Sequence, residues 1–207
     1  MMKPDHIEKR TRRRRHGLLL RGLIADTRAT QIVEFAVALP LIAVFVVGIF
    51  DFGSAFTLKQ KLSHVARDAA RMAANQPSRD LSNAQPPTLN AVANTVGKAL
   101  LALKVDDCGL STGGATVTNP VNLTWVYTDT GCTNGGTFTL TIQRGLTYTV
   151  PAVSPYYTTA LTVEATRVTL SYPYKWQFNN VITLLVPGAT YAANSQISST
   201  AITPNLD

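Results

Sequence analysis

Nineteen consecutive residues, Ile32 to Phe50, read IVEFAVALPLIAVFVVGIF and carry a single charge, on Glu34. As a helix rising about 1.5 Å per residue they span roughly 28 Å, the thickness of a hydrocarbon core. Such a run has three possible fates. It crosses a membrane, it is removed as a secretory signal, or the core of a soluble protein wraps it. Gly53-Ser54-Ala55 would serve as a signal cleavage site. However, the run is longer than a typical signal core, contains Glu34 and has 31 residues before it. The flanks favour a span.

The chain has 207 residues and a formal net charge of +7, with 19 Lys+Arg against 12 Asp+Glu. Residues 1–28 alone hold nine basic and three acidic groups, +6, including Arg12-Arg13-Arg14-Arg15; residues 29–207 hold ten and nine, +1. The basicity belongs to the leader rather than to a folded surface, which argues against a nucleic-acid partner. By the positive-inside rule it puts the N-terminus in the cytoplasm and the remainder outside. The expected divisions are a basic cytoplasmic leader over 1–29, a transmembrane helix over 30–53 and an extracytoplasmic domain over 54–207.

The helical pattern continues past Asp51, which is expected to face water at the outer interface. Residues 54–75 contain no Gly or Pro, and Leu58, Leu62, Val65, Ala69 and Met72 fall on one helical face. Lys59, Lys61, His64, Arg67, Asp68 and Arg71 take the other. Pro40 should kink this long helix, because it removes one helical hydrogen bond. Residues 76–87 read as a linker, and Thr88–Val105 as a second amphipathic helix carrying Leu89, Val92, Val96, Leu100 and Leu103. Gly97 is unfavourable inside it. Strands are expected over Val121–Tyr127, Thr137–Gln143, Leu146–Val150, Leu161–Ser171 and Gln196–Thr203. Long helix, second helix and then a mostly antiparallel sheet make an α+β fold with the helices on one face.

Little in the sequence carries reaction chemistry. The three histidines are scattered, and His64 reads as a solvated residue on the polar helix face. Asp106-Asp107 reads as a helix-end pair, and no nucleophile, phosphate-loop, dinucleotide or metal motif is present. The expectation is a non-enzyme with no cofactor, no metal site and no small-molecule substrate. Cys108 and Cys132 fall outside the membrane in this topology. In an oxidising compartment a disulfide is the natural reading, and in a cytoplasmic one free thiols.

One ordered set of residues resembles a known family. It comprises Val33-Glu34-Phe35-Ala36, Leu39-Pro40-Leu41, Gly48-Ile49-Phe50-Asp51-Phe52-Gly53 and Ala66-Arg67-Asp68-Ala69-Ala70-Arg71. These segments are similar to the TadE-like family, minor pseudopilins of the tight-adherence (Flp) pilus within the type IV pilus superfamily. Val168–Tyr174 is similar to that family's late strand, with less specificity. The resemblance implies a pilin-like fold and a structural role in pilus assembly. It further implies cleavage by a prepilin peptidase between Ala29 and Thr30, Ala29 standing where the family has glycine. Glu34, with Phe35 beside it, would meet a freed α-amine and align one subunit on the next. The implied partners are other pilins and pseudopilins, the assembly platform and the bacterial inner membrane, with the C-terminal domain periplasmic. A secreted or membrane-anchored module that binds surfaces through its Thr-rich β domain is the alternative.

Overall fold

A computed structural model describes residues 27–152, 159–177, 188 and 194–205. Most of the expected leader, residues 1–26, lies outside the described residues. The chain divides into two compact units, Met1–Ile49 and Phe50–Asp207.

Helix α1, Thr27–Ala74, runs 48 residues through Pro40 without interruption. Within the second unit its inward face is wider than the single heptad-like stripe. Leu62, Val65, Ala66, Ala69, Ala70 and Ala73 are all buried, while His64 and Arg67 are exposed. Small alanines on consecutive turns bring the helix backbone close to the core. A short 3-10 turn, Ser78–Asp80, follows, and then helix α2, Pro87–Ala102. Pro86 at the α2 N-cap has no side chain to offer its orphan amides. The Asp80 carboxylate takes that place, accepting from Thr88 N–H at 3.0 Å and Thr88 Oγ1 at 2.7 Å. Leu89, Val92, Val96 and Leu100 are buried as the spacing requires, but α2 ends before Leu103, which is exposed.

Gly97 has a packing reason. A Cβ there would lie 2.6 Å from the Ser111 backbone nitrogen, so only glycine lets the Leu110–Thr112 turn pass so close. Gly97→Ala is expected to destabilise the domain by about 1–3 kcal/mol through this backbone clash. Helix propensity alone would stabilise by up to about 1 kcal/mol. The sign of the change in unfolding free energy therefore tells packing from propensity.

Among the described residues the sheet is a five-stranded antiparallel meander, β1 Thr116–Val121, β2 Thr124–Asp129, β3 Phe138–Val150, β4 Leu161–Lys175 and β5 Asn194–Pro204, in that spatial order. Two expected strands need correction. Val121–Tyr127 straddles a hairpin: Val121 pairs with Thr124, and the intervening Asn122 and Leu123 both have positive φ, 52° and 54°. That is the geometry of a type I′ turn, here built without glycine. Thr137–Gln143 and Leu146–Val150 are one strand, β3, interrupted by a bulge. The β3–β4 register shifts between Gln143 and Leu146, and Gly145 there has φ 84°.

One sheet face joins the helices in a single core. It presents Trp125 and Tyr127 from β2, Phe138, Leu140 and Ile142 from β3, and Val168, Leu170 and Tyr172 from β4, with Ile197 and Ala201 of β5 packed against them. Strand period 2 puts a hydroxyl array on the other face. The register aligns Thr116, Thr128, Thr139, Ser171 and Ser198 in one row across all five strands. Thr141, Thr169 and Thr200 align in the next. Neighbouring hydroxyls bond across strands, Thr169 to Thr200 and Ser171 to Ser198, each at 3.0 Å.

Candidate functional site

In the first unit, α1 is apolar on every side. Ile32, Phe35, Val37, Leu41, Ile42, Phe45 and Ile49 are all exposed, Val37 and Ile49 by 71% each. Its most apolar 18-residue window has a mean hydropathy of 2.6 and no buried residue. A helix apolar all round and uncovered is suited to lipid or to a bundle of like helices, not to water. Among the described residues this is the one such helix, and its place near the N-terminus suggests single-pass membrane anchoring.

Thr30, Glu34 and Phe35 are exposed on this helix. Thr30 and Glu34 are four residues apart, one turn and about 6 Å along the axis. Ala29 lies in its first turn. Among the described residues, no second element covers Thr30, Glu34 or Phe35.

The second unit contains the end of the apolar run, and here the expectation for Asp51 is corrected. Asp51 does not face water; it is only 4% exposed. Burying a carboxylate requires hydrogen bonds to replace its hydration. Tyr174, near the end of β4, donates its O–H to Asp51 Oδ1 at 2.8 Å, and its hydroxyl also lies 3.2 Å from the Asp51 carbonyl. Ser54 Oγ donates to the same carbonyl at 2.8 Å and meets the Tyr174 hydroxyl at 2.5 Å. Burial, and then the adjacent Asp51 carboxylate, push the Tyr174 phenol above its ordinary value of 10. Trp176 packs edge-on against Tyr174, ring centroids 5.0 Å apart, and against Phe52 at 5.2 Å. Its indole N–H donates to Ser195 Oγ at 2.6 Å. Further along α1, Ser63 Oγ meets Ser199 Oγ of β5 at 2.9 Å, and Lys59 Nζ donates to the Ser198 carbonyl. The first turns of α1 in this unit are thus tied to β4 and β5 by polar contacts. The sequence offered one signal for this, an acidic residue between two phenylalanines at the end of an apolar run. It offered none for the partner 123 residues away.

Cys108 and Cys132 form a disulfide, S–S 1.98 Å, in the loops flanking β1 and β2. Both are buried. Asp106 ties the same two segments together by accepting from Cys108 N–H at 3.0 Å, from Thr133 N–H at 2.7 Å and from the Thr133 hydroxyl. Burial raises the Asp106 pKa, but these bonds outweigh it and hold the carboxyl below the ordinary 3.8. Asp107 binds its own loop, accepting from Gly109 and Ser111 amides. The acidic pair is a loop-fastening device rather than a helix-end pair. Among the described residues no group of three or more His, Cys, Asp or Glu could hold a metal ion.

Sequence reasoning also missed Arg144, the largest buried cation, 2% exposed on the inner face of β3. Its Nη1 donates to the Gln76 carbonyl at 2.6 Å and its Nη2 to the Ala74 carbonyl at 3.5 Å, where α1 ends.

The helix that carries Glu34 and Asp51 has a counterpart among known families. The family model described as TadE-like protein matches residues 30–71. Those residues are similar to the TadE-like family. The match covers the apolar helix, its exit at Asp51 and most of the amphipathic part of α1, and stops before α2 and the sheet. TadE-like proteins are a structural, pilus-associated family rather than an enzymatic one. No curated protein and no solved structure matches the chain.

Proposed function

We propose that the chain is a membrane-anchored minor pseudopilin, a structural component in the assembly of a bacterial Tad/Flp pilus. The observation that carries this reading is a TadE-like helix whose apolar side chains are exposed on all sides. Residues 1–29 form a cytoplasmic leader, residues 30–53 cross the inner membrane and residues 54–207 make a periplasmic domain. The bias of nine basic against three acidic residues before position 29 supports that orientation. A prepilin peptidase cuts between Ala29 and Thr30. The new α-amine then lies one turn from Glu34, in an environment where an unpaired charge is costly. Glu34 pairs with that amine or a neighbour's, Phe35 packs beside it, and other pilins, pseudopilins and the assembly platform are the partners.

Intact mass of the protein recovered from membranes tests the processing step. The expected N-terminus is Thr30; one at Met1, or beyond Ala55, contradicts a pilin-type cut. Glu34→Leu is expected to insert into membranes normally and to be lost from complexes with other pilus components. If it co-purifies with them as well as the natural chain does, the carboxylate has no role in assembly.

A second reading, a surface-binding module, has one observation in its favour. The hydroxyl rows through Thr139, Ser171 and Ser198 and through Thr141, Thr169 and Thr200 are uncharged and regularly spaced, with Arg167 beside them on the same face. That reading needs no other pilin for localisation, so correct placement of the protein in cells lacking the other pilins would favour it.

A further inference from the structure

We propose that the corner formed by Phe52, Tyr174 and Trp176 is an interfacial aromatic anchor that seats the folded domain in the lipid headgroup layer. This rests on the membrane-spanning reading of α1 and adds a second membrane contact made by the β-domain itself.

Three observations carry it. The first is position. Phe52 is two residues beyond the last residue of the apolar run, on the same uninterrupted helix. That is about 3 Å along the axis, inside a headgroup layer roughly 5–7 Å thick. Phe56, one turn further, stands about 9 Å beyond the run, past the outer edge of that layer. Phe52 and Phe56 are 66% and 64% exposed, which would be costly in water for two phenyl rings on adjacent turns.

The second is how the corner disposes of its polar atoms. The Tyr174 hydroxyl is turned onto Asp51 and Ser54, and the Trp176 indole N–H onto Ser195. Asp51, the one carboxylate at the exit, is buried and accepts from Tyr174. Polar groups are thus directed into the fold while the Trp176 and Phe52 rings lie against each other at the surface. With the hydroxyl and the indole N–H already bonded within the protein, the ring bodies can meet the boundary between acyl chains and headgroups without stranding a donor.

The third is the flanking chemistry. Lys175, between the two aromatic residues, is exposed and supplies an ammonium suited to lipid phosphate. In sequence, residues 176–195, which join Trp176 to Ser195, contain no charged residue.

The experiment uses the full chain in vesicles of phosphatidylcholine and phosphatidylglycerol that carry a spin-label quencher either at the headgroup or deep in the acyl chain. Trp125 is fully buried, so the difference between the natural protein and Trp176→Phe isolates the Trp176 emission. We expect the headgroup quencher to remove most of that emission, the deep quencher to remove much less, and aqueous iodide to have little effect. Quenching by iodide without quenching by lipid overturns the anchor. So does protection from both that grows with the protein-to-lipid ratio, which would mean that a second copy covers the corner. Flotation of the same samples separates the two layers of the argument. Protein that fails to float with the vesicles overturns the membrane reading and the anchor with it. Protein that floats with Trp176 unquenched by lipid overturns the anchor alone.

Discussion

Arg144→Ala is expected to lower the stability of the folded domain by about 3–5 kcal/mol, combining a large-to-small core cavity with carbonyl groups left unpaired. The side chain reaches from the inner face of β3 to the C-terminal end of α1. An α-helix leaves its last carbonyls without intrahelical partners, and the helix dipole puts partial negative charge there. A guanidinium suits that place, because its planar fork can bond two acceptors at once. Here it bonds the carbonyls of Gln76 and Ala74. Its charge also helps hold the Asp80 carboxyl below its ordinary value, after the bonds from Thr88, which offset the effect of burial. Arg144 therefore joins three features at one point: the end of α1, the turn that caps α2, and the inner face of the sheet. Arg144→Met keeps most of the volume and loses only the bonds, so its expected cost is smaller, about 1–3 kcal/mol. Denaturant unfolding of both variants, followed by Trp125 fluorescence, checks the ordering. A methionine variant more stable than the natural protein would show that burying the cation costs more than its bonds return. An alanine variant that loses no more than Arg167→Ala, on the opposite face, would remove Arg144 from the core altogether.

The position of Arg144 also shows what was readable in the sequence. Phe138, Leu140, Ile142 and Arg144 alternate with Thr139, Thr141 and Gln143, so period 2 alone places the arginine on the buried face. What period 2 does not reveal is its acceptor, 68 residues earlier in the chain. The same division holds elsewhere. The apolar run, the amphipathic faces of α1 and α2 and the order of helices before strands depend on local repetition, and these were legible. The Asn122-Leu123 hairpin was not, because its two positive φ angles are normally signalled by glycine. The gap expected between Gln143 and Leu146 is a bulge through which the strand continues. Sequence alone places Asp51 in water, because a carboxylate next to an apolar run ordinarily belongs there. Its burial depends on Tyr174, whose approach is a property of the tertiary fold.

Loss of the Cys108–Cys132 bridge should have an effect of similar size and a different signature. For a sequence separation of 24, the chain-entropy model gives a stabilisation of about 3.5 kcal/mol. Cys108→Ser, Cys132→Ser and the double substitution should all lose about this amount, since each removes the same single bond. Three equal losses distinguish a bridge from two independently packed thiols, whose losses would add. The bridge also has a non-covalent parallel. Asp106 accepts from Cys108 on one segment and from Thr133 on the other, next to Cys132. Without the disulfide this carboxylate carries more of the work of holding the two loops together. Its pKa is held below 3.8 in the folded protein, so its contribution is fully present above that ordinary value. The contribution is lost as the pH falls through the depressed folded value. The Cys-to-Ser proteins should therefore unfold in acid at a higher pH than the natural protein, and adding Asp106→Asn should remove most of that extra dependence below pH 3.8. Thiol labelling under denaturing conditions comes before these measurements. Labelling of both cysteines without prior reduction would mean that the bridge does not form, and the three serine variants would then have no loop entropy to lose.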